Sequence, residues 1–118
     1  MPSIRDAYDK MGADYEDVLR RLMGDEMVAR FAIKFLDDDS MDKLEAGLAA
    51  GNAREAFIGA HTLKGVCQNL GFDNLYEPAV AVTEALRHAT DVDAALPLMP
   101  ALRRQYAVTT DALRETLE

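Results

Sequence analysis

Apolar residues recur at steps of three and four along nearly the whole chain, and each stretch ends at a glycine or a polar run. This spacing is typical of amphipathic helices, whose apolar stripes pack together when short connections join them. No alternating strand of useful length and no Asn-Gly or Asp-Gly hairpin signal is present. We therefore predict an all-α fold, namely an antiparallel, up-and-down four-helix bundle with additional N-terminal helices.

Capping residues and stop signals set the expected boundaries of these helices. The segments that they delimit are 3–12, 14–24, 25–36, 40–51, 52–71, a sixth that starts within residues 73–77 and runs to residue 89, and 102–117. Asn52 and Glu55 have the spacing of a capping box, and Pro78 is expected in the first turn of its helix. Pro97 and Pro100 predict a short turn before the final helix. We assign residues 1–24 to the N-terminal helices and residues 25–118 to the bundle core.

Length and composition limit the class of protein. A chain of 118 residues accommodates one core, so we predict a single domain over residues 1–118. The net charge of −8 and the lack of a basic patch argue against nucleic acid as a partner. No apolar run approaches the roughly 20 residues that span a bilayer, and residues 1–6 have no apolar signal-peptide core, so we expect a cytoplasmic protein without a membrane partner. Met1 and the final helix lead us to expect a free-standing protein.

Few residues are suited to catalysis. Ser3 and Ser40 lie at expected helix starts, which favours capping over nucleophilic roles. The acidic run 37–39 lacks the spacing of a calcium loop, so we interpret it as a solvated loop and expect no metal site. No glycine-rich loop of the Walker or dinucleotide type is present, so we expect neither ATP binding nor a bound cofactor.

His61 differs from the other polar residues because of its position on the predicted helix 52–70. On a helical wheel the buried face comprises Ala56, Ala60, Leu63, Cys67 and Leu70. The outward face carries His61 together with Phe57, Lys64, Gly65 and Gln68. The wheel therefore predicts an exposed imidazole beside a lysine and a glycine, and an inert core thiol at Cys67.

The neighbours of His61 each allow two interpretations. A mid-helix glycine costs about 0.5–1 kcal/mol relative to alanine, so Gly65 either permits close helix packing or leaves access to His61. Lys64 is either a solvated surface residue or a group that neutralises a phosphoryl group. Phe57 and Ile58 are either covered by neighbouring helices or form a docking patch for a partner.

The stretch Ala60-His61-Thr62-Leu63-Lys64-Gly65-Val66-Cys67-Gln68-Asn69-Leu70-Gly71 resembles the phosphoacceptor helix of histidine phosphotransfer (HPt) domains. These bundles carry a phosphoryl group between response-regulator receiver domains in bacterial phosphorelays. The resemblance extends to about Arg87. It implies that His61 is the phosphoacceptor, with Lys64 assisting and Gly65 leaving room for the donor.

The resemblance also implies which partners the chain has. Receiver domains, or a hybrid sensor histidine kinase, would dock over the residues around the acceptor, which are Phe57, Ile58, His61, Lys64, Gly65 and Gln68. Mg²⁺ would belong to the receiver partner, and this chain would be an intermediate in phosphotransfer and not an enzyme.

Two positions depart from the family pattern. Thr83 stands where family members often carry a Glu or Gln that orients the imidazole, and Glu84 follows it. We expect Thr83 or Glu84 to orient His61. Val66 is bulkier than the small residue that is usual at its position, which would alter helix packing.

Two other functions remain open. An HPt-like module that binds a receiver or a kinase without being phosphorylated would keep the docking face. An unrelated helical enzyme or adaptor would carry the motif by coincidence, and a convergent cleft away from His61 would favour it. His88 is most simply a surface residue near the negative end of its helix dipole.

Overall fold

All regular secondary structure is helical in a computed structural model that describes residues 1–118. The seven α-helices are α1 (Ile4–Met11), α2 (Tyr15–Leu22), α3 (Asp25–Lys34), α4 (Ser40–Ala49), α5 (Ala53–Leu70), α6 (Asp73–Leu86) and α7 (Met99–Glu115). Single 3-10 turns lie at Phe35–Asp37 and Leu96–Leu98. The all-α prediction is therefore confirmed, as is the short turn before the long final helix.

The predicted caps account for both ends of α1, the start of α2 and both ends of α5. The Ser3 hydroxyl accepts a hydrogen bond from the Asp6 N–H at the start of α1, and the Asn52 side chain accepts one from the Glu55 N–H at the start of α5. Gly71 ends α5 with a φ of 70°, a left-handed conformation that glycine adopts without a steric penalty.

Three local predictions are wrong. At α5 only the Asn52 half of the expected capping box forms. Pro78 lies in the second turn of α6, because the helix begins at Asp73. Ser40 does not cap α4; its N–H and hydroxyl both donate to the carboxylate of Asp38, and the N-cap residue, Asp39, makes no side-chain cap hydrogen bond.

The bundle core consists of α4 to α7, with α5 packed between α4 and α6. Close contact between α4 and α5 depends on two glycines. A Cβ at Gly59 would lie 2.5 Å from the Leu44 backbone nitrogen, and a Cβ at Gly47 would overlap the Ala56 backbone. These clashes show that both positions need glycine for the helices to approach. Helix α4 is also linked to α7, because Arg103 of α7 donates two 2.8 Å hydrogen bonds to Glu45 of α4.

The N-terminal helices cover the C-terminal end of α5. The buried Tyr8 hydroxyl donates to the Leu70 carbonyl at 2.6 Å, and the Asp14 N–H donates to the Gly71 carbonyl at 3.1 Å. Arg21 donates to the Gln68 and Asn69 carbonyls at 3.1 and 2.9 Å. Because the last carbonyls of a helix lack partners within it, α1 and α2 complete the end of α5. None of the seven helices has the length and apolar character needed to cross a bilayer.

Candidate functional site

The imidazole of His61 lies on the outward face of α5. All five residues assigned to the buried face are at most 8% exposed, namely Ala56, Ala60, Leu63, Cys67 and Leu70. His61 and Gln68, on the other side of the helix, are exposed. The wheel prediction is thus confirmed for the buried face and for His61 and Gln68, whereas Phe57, Lys64 and Gly65 are half-buried. Burial raises the pKa of the Cys67 thiol, so this cysteine stays protonated in the core.

Gly65 leaves open space beside the imidazole. Apart from its chain neighbours and the backbone of α5 itself, a Cβ built at Gly65 has no heavy atom within 4 Å, whereas the same construction clashes with α4 at Gly59. Gly65 is therefore not required for packing between helices. Of its two interpretations, access to His61 fits the structure.

Lys64 is half-buried one turn from His61 and takes part in none of the ion pairs of the protein. Its ammonium group is free to bind an anion that approaches His61. The pKa of the Glu84 carboxyl lies below its ordinary value, mainly because Arg87 donates hydrogen bonds to it. The positive charge of Lys64 lowers the pKa of the same carboxyl further, as the smallest of these effects.

Phe57 stacks on the imidazole of His61. The two rings are nearly parallel, with their planes at 15° and their centroids 5.6 Å apart. Phe57 is half-buried and packs against the core, so one side of the ring is anchored. Of the predicted docking residues, Phe57 is thus partly covered, while Ile58 is 42% exposed and Gln68 is also exposed.

Arg87, at the end of α6, contacts the ring of Phe57. Its guanidinium carbon lies 5.2 Å from the centroid of the Phe57 ring. Glu84 accepts hydrogen bonds from Nε and Nη2 of Arg87 at 3.2 and 3.1 Å. Arg87 is not among the site residues predicted from the sequence. Its spacing from Glu84 signals the ion pair, but its contact with a ring on another helix has no signal in a single sequence.

The predicted orienting role of Thr83 is wrong. Its side chain is fully buried, and its hydroxyl donates to the Ala79 carbonyl at 2.7 Å within α6. Glu84 faces solvent and binds Arg87, so it makes no hydrogen bond with His61 either. The imidazole is therefore oriented by no side chain of α6 through a direct hydrogen bond.

A second histidine and a basic cleft lie near this face. His88 follows the end of α6 in a left-handed conformation, with a φ of 59°, and is exposed. It borders an open cleft of about 290 Å³ together with Arg54, Phe57 and Arg87. All titratable groups that line this cleft are basic, in a chain of net charge −8. No cluster of three or more His, Cys, Asp or Glu side chains is placed to hold a metal ion.

A family model described as "Hpt domain" matches residues 27–117, which include every residue of this site. The chain belongs to the Hpt domain family. Hpt domains are phosphotransfer modules of phosphorelays, and they are carriers of the phosphoryl group and not kinases with ATP-binding elements. The fold with its exposed histidine and the family assignment agree.

One curated protein is similar over a shorter stretch. The DNA mismatch repair protein MSH2 of Arabidopsis thaliana is 34% identical to this Hpt domain over 88 residues. The match covers 74% of this chain but 8% of that protein, so nothing about mismatch repair transfers to this chain. No solved structure matches.

The Hpt match excludes residues 1–26, which comprise α1, α2 and the first residues of α3. Within the match, Val66 departs from the expected small residue. It is half-buried and borders a cleft of about 250 Å³ between α3 and α5, together with Phe31 and Leu70. Its extra bulk thus lies at the junction of α3 with α5.

Proposed function

We propose that this protein is a histidine phosphotransfer protein of a two-component phosphorelay and that His61 is its phosphoacceptor. The observation that carries the proposal is the exposed imidazole of His61 on α5, flanked by the unpaired ammonium of Lys64 and the open surface at Gly65. These three residues lie within the segment that matches the Hpt domain family.

The proposed reaction moves a phosphoryl group between an aspartate of a receiver domain and His61. The P–O bond to the aspartate breaks while an N–P bond to the imidazole forms. The aspartate leaves as a carboxylate, and the proton of the ring passes to water. Because phosphoryl transfer depends mainly on positioning and charge stabilisation, a solvent-facing histidine with one free cation is a sufficient contribution from this chain.

The partner would dock over the outward face of α5. Ile58, Gly65 and Gln68 offer it an accessible surface around His61. We expect receiver domains, including one fused to a hybrid sensor histidine kinase, to bind there in the cytoplasm. In this account Mg²⁺ is held by the receiver, and the chain itself needs no cofactor and hydrolyses no ATP.

Transfer from a panel of phosphorylated receiver domains tests this proposal. The wild-type protein and His88→Gln should both take up label, because His88 has no role in the transfer. His61→Gln should take up none while its circular dichroism stays native, since an exposed side chain contributes little to folding. Labelling of His61→Gln at the wild-type rate would refute the assignment. Binding of a receiver without labelling of the wild type would favour the non-phosphorylated docking module.

A further inference from the structure

The imidazole of His61 makes no orienting hydrogen bond, but its ring stacks on the ring of Phe57. No protein group donates to the imidazole or accepts from it, and the hydroxyl of Thr83 donates to the Ala79 carbonyl within α6. The contact that remains is the nearly parallel stack on Phe57, with the ring planes at 15°. Stacked rings of this kind limit rotation of the imidazole about its Cβ–Cγ bond, because rotation would separate the two faces.

The stacking ring is itself held from a second helix. Phe57 packs against the core of the bundle on α5, and the guanidinium of Arg87 lies against its face at 5.2 Å. Glu84 fixes that guanidinium through two hydrogen bonds. A chain of contacts therefore runs from Glu84 through Arg87 and Phe57 to His61, and it links the end of α6 to the middle of α5.

We propose that Phe57, held in place by Arg87 and Glu84, is a positioning residue that fixes the plane of the His61 imidazole for phosphoryl transfer. This inference rests on the proposed function, because it assigns a role within the transfer at His61. A nucleophilic ring nitrogen must point along the line of the breaking bond, and misplacement of reacting groups by even about 1 Å can slow a reaction by up to about 100-fold. When the ring plane is fixed before the phosphoryl donor binds, the nucleophilic nitrogen of His61 samples fewer unproductive orientations.

Substitutions at Phe57 and Arg87 separate positioning from packing. Phe57→Leu keeps an apolar side chain on the core but removes the stacking face. Phe57→Tyr keeps the aromatic face, and the open cleft beside Phe57 accommodates the added hydroxyl. Arg87→Ala releases the ring without touching the core, because Arg87 is exposed. Arg114→Ala is the matched control, since it breaks another exposed ion pair at the same i,i+3 spacing, with Asp111 on α7.

Two measurements are made on each full-length variant. The first is the rate of phosphorylation by potassium phosphoramidate, in which the P–N bond of the reagent breaks, the N–P bond to His61 forms and ammonia leaves with the proton of the ring. The second is the position of the His61 imidazole proton resonances, which report stacking directly and are assigned by their loss in His61→Gln. Circular dichroism and melting temperature confirm that each variant is folded.

The proposal predicts about tenfold slower phosphorylation of Phe57→Leu and a smaller decrease for Arg87→Ala. In both variants the His61 resonances should move toward those of an unstacked histidine. Phe57→Tyr should stay within about twofold of the wild type, and Arg114→Ala should match it. A Phe57→Leu variant with wild-type rate and unchanged resonances would overturn the positioning role, as would a Phe57→Tyr variant as slow as Phe57→Leu. If the wild type itself takes no phosphoryl group from phosphoramidate or from any receiver, the proposed function fails instead.

Discussion

Gly59 and Gly65 lie on the same helix but face different surroundings. Gly59 faces α4, where a Cβ would lie 2.5 Å from the Leu44 nitrogen, and Gly65 faces open space. Gly59→Ala should therefore destabilise the fold by roughly 1–3 kcal/mol through overpacking. Gly65→Ala should leave the stability unchanged or raise it by up to about 1 kcal/mol through better helix propensity.

Urea unfolding of both variants measures this difference in the free energy of unfolding. Transfer assays add a second contrast. A methyl group at Gly65 should slow transfer from a bulky receiver more than phosphorylation by phosphoramidate, because the small reagent needs less room. A Gly65→Ala variant that unfolds more easily than Gly59→Ala would contradict the proposed roles.

Lys64 makes no ion pair in the protein, so its charge is available to a phosphoryl group at His61. Lys64→Ala should slow transfer by about tenfold, which corresponds to about 1.4 kcal/mol of transition-state stabilisation, without abolishing it. Lys43→Ala is the control, because Lys43 is an exposed lysine of α4 that pairs with Asp39. Equal transfer rates in the two variants would exclude the assisting role of Lys64.

At the scale of the elements, α1 and α2 complete the C-terminal end of α5. The buried hydrogen bond from Tyr8 to the Leu70 carbonyl is the best-shielded contact of this junction. Tyr8→Phe should lower the free energy of unfolding by roughly 1–2 kcal/mol, because the Leu70 carbonyl is left without this donor. Denaturant unfolding at neutral pH measures the loss, and an unchanged midpoint would show that water replaces the phenol at no cost.

Ionisation of Tyr8 makes the stability contribution of this junction depend on pH. Burial raises the pKa of the Tyr8 phenol above its ordinary value of about 10. The protonated phenol therefore stabilises the fold fully below pH 10 or so, and this contribution declines as the pH rises and the unfolded chain ionises. The stability advantage of the wild type over Tyr8→Phe should shrink between about pH 9 and pH 11. An advantage that grows across this range would contradict the assignment.

Some helix boundaries and the exposure of His61 could be predicted from the sequence, whereas other features depend on how the helices pack. Helix ends were predictable where one residue decides them, as at Asn52 and Gly71, because capping is a local interaction. Pro78 was misplaced because packing of α6 offsets the loss of one backbone hydrogen bond, which a local rule does not weigh. The exposure of His61 followed from helical periodicity. Its stacking on Phe57 and the contact of Arg87 with the Phe57 ring depend on how α5 and α6 pack.

At the scale of the whole molecule, the contacts between the N-terminal helices and the bundle predict one cooperative unit. Tyr8 and Tyr15 belong to the same continuous core as Leu63 and Leu113. Thermal unfolding followed by helix content and by tyrosine fluorescence should therefore give a single, coincident transition. Two separated transitions would show that residues 1–24 form an independent unit, contrary to the prediction of one domain over residues 1–118.

The most direct test of the account is to locate the phosphoryl group on the wild-type protein. The protein is incubated with a phosphorylated receiver domain and Mg²⁺, digested, and mapped by mass spectrometry after acid and alkaline treatment. We expect an acid-labile, base-stable phosphoryl group on the peptide that contains His61. An acid-stable group, or a group on any other residue such as His88, would contradict it.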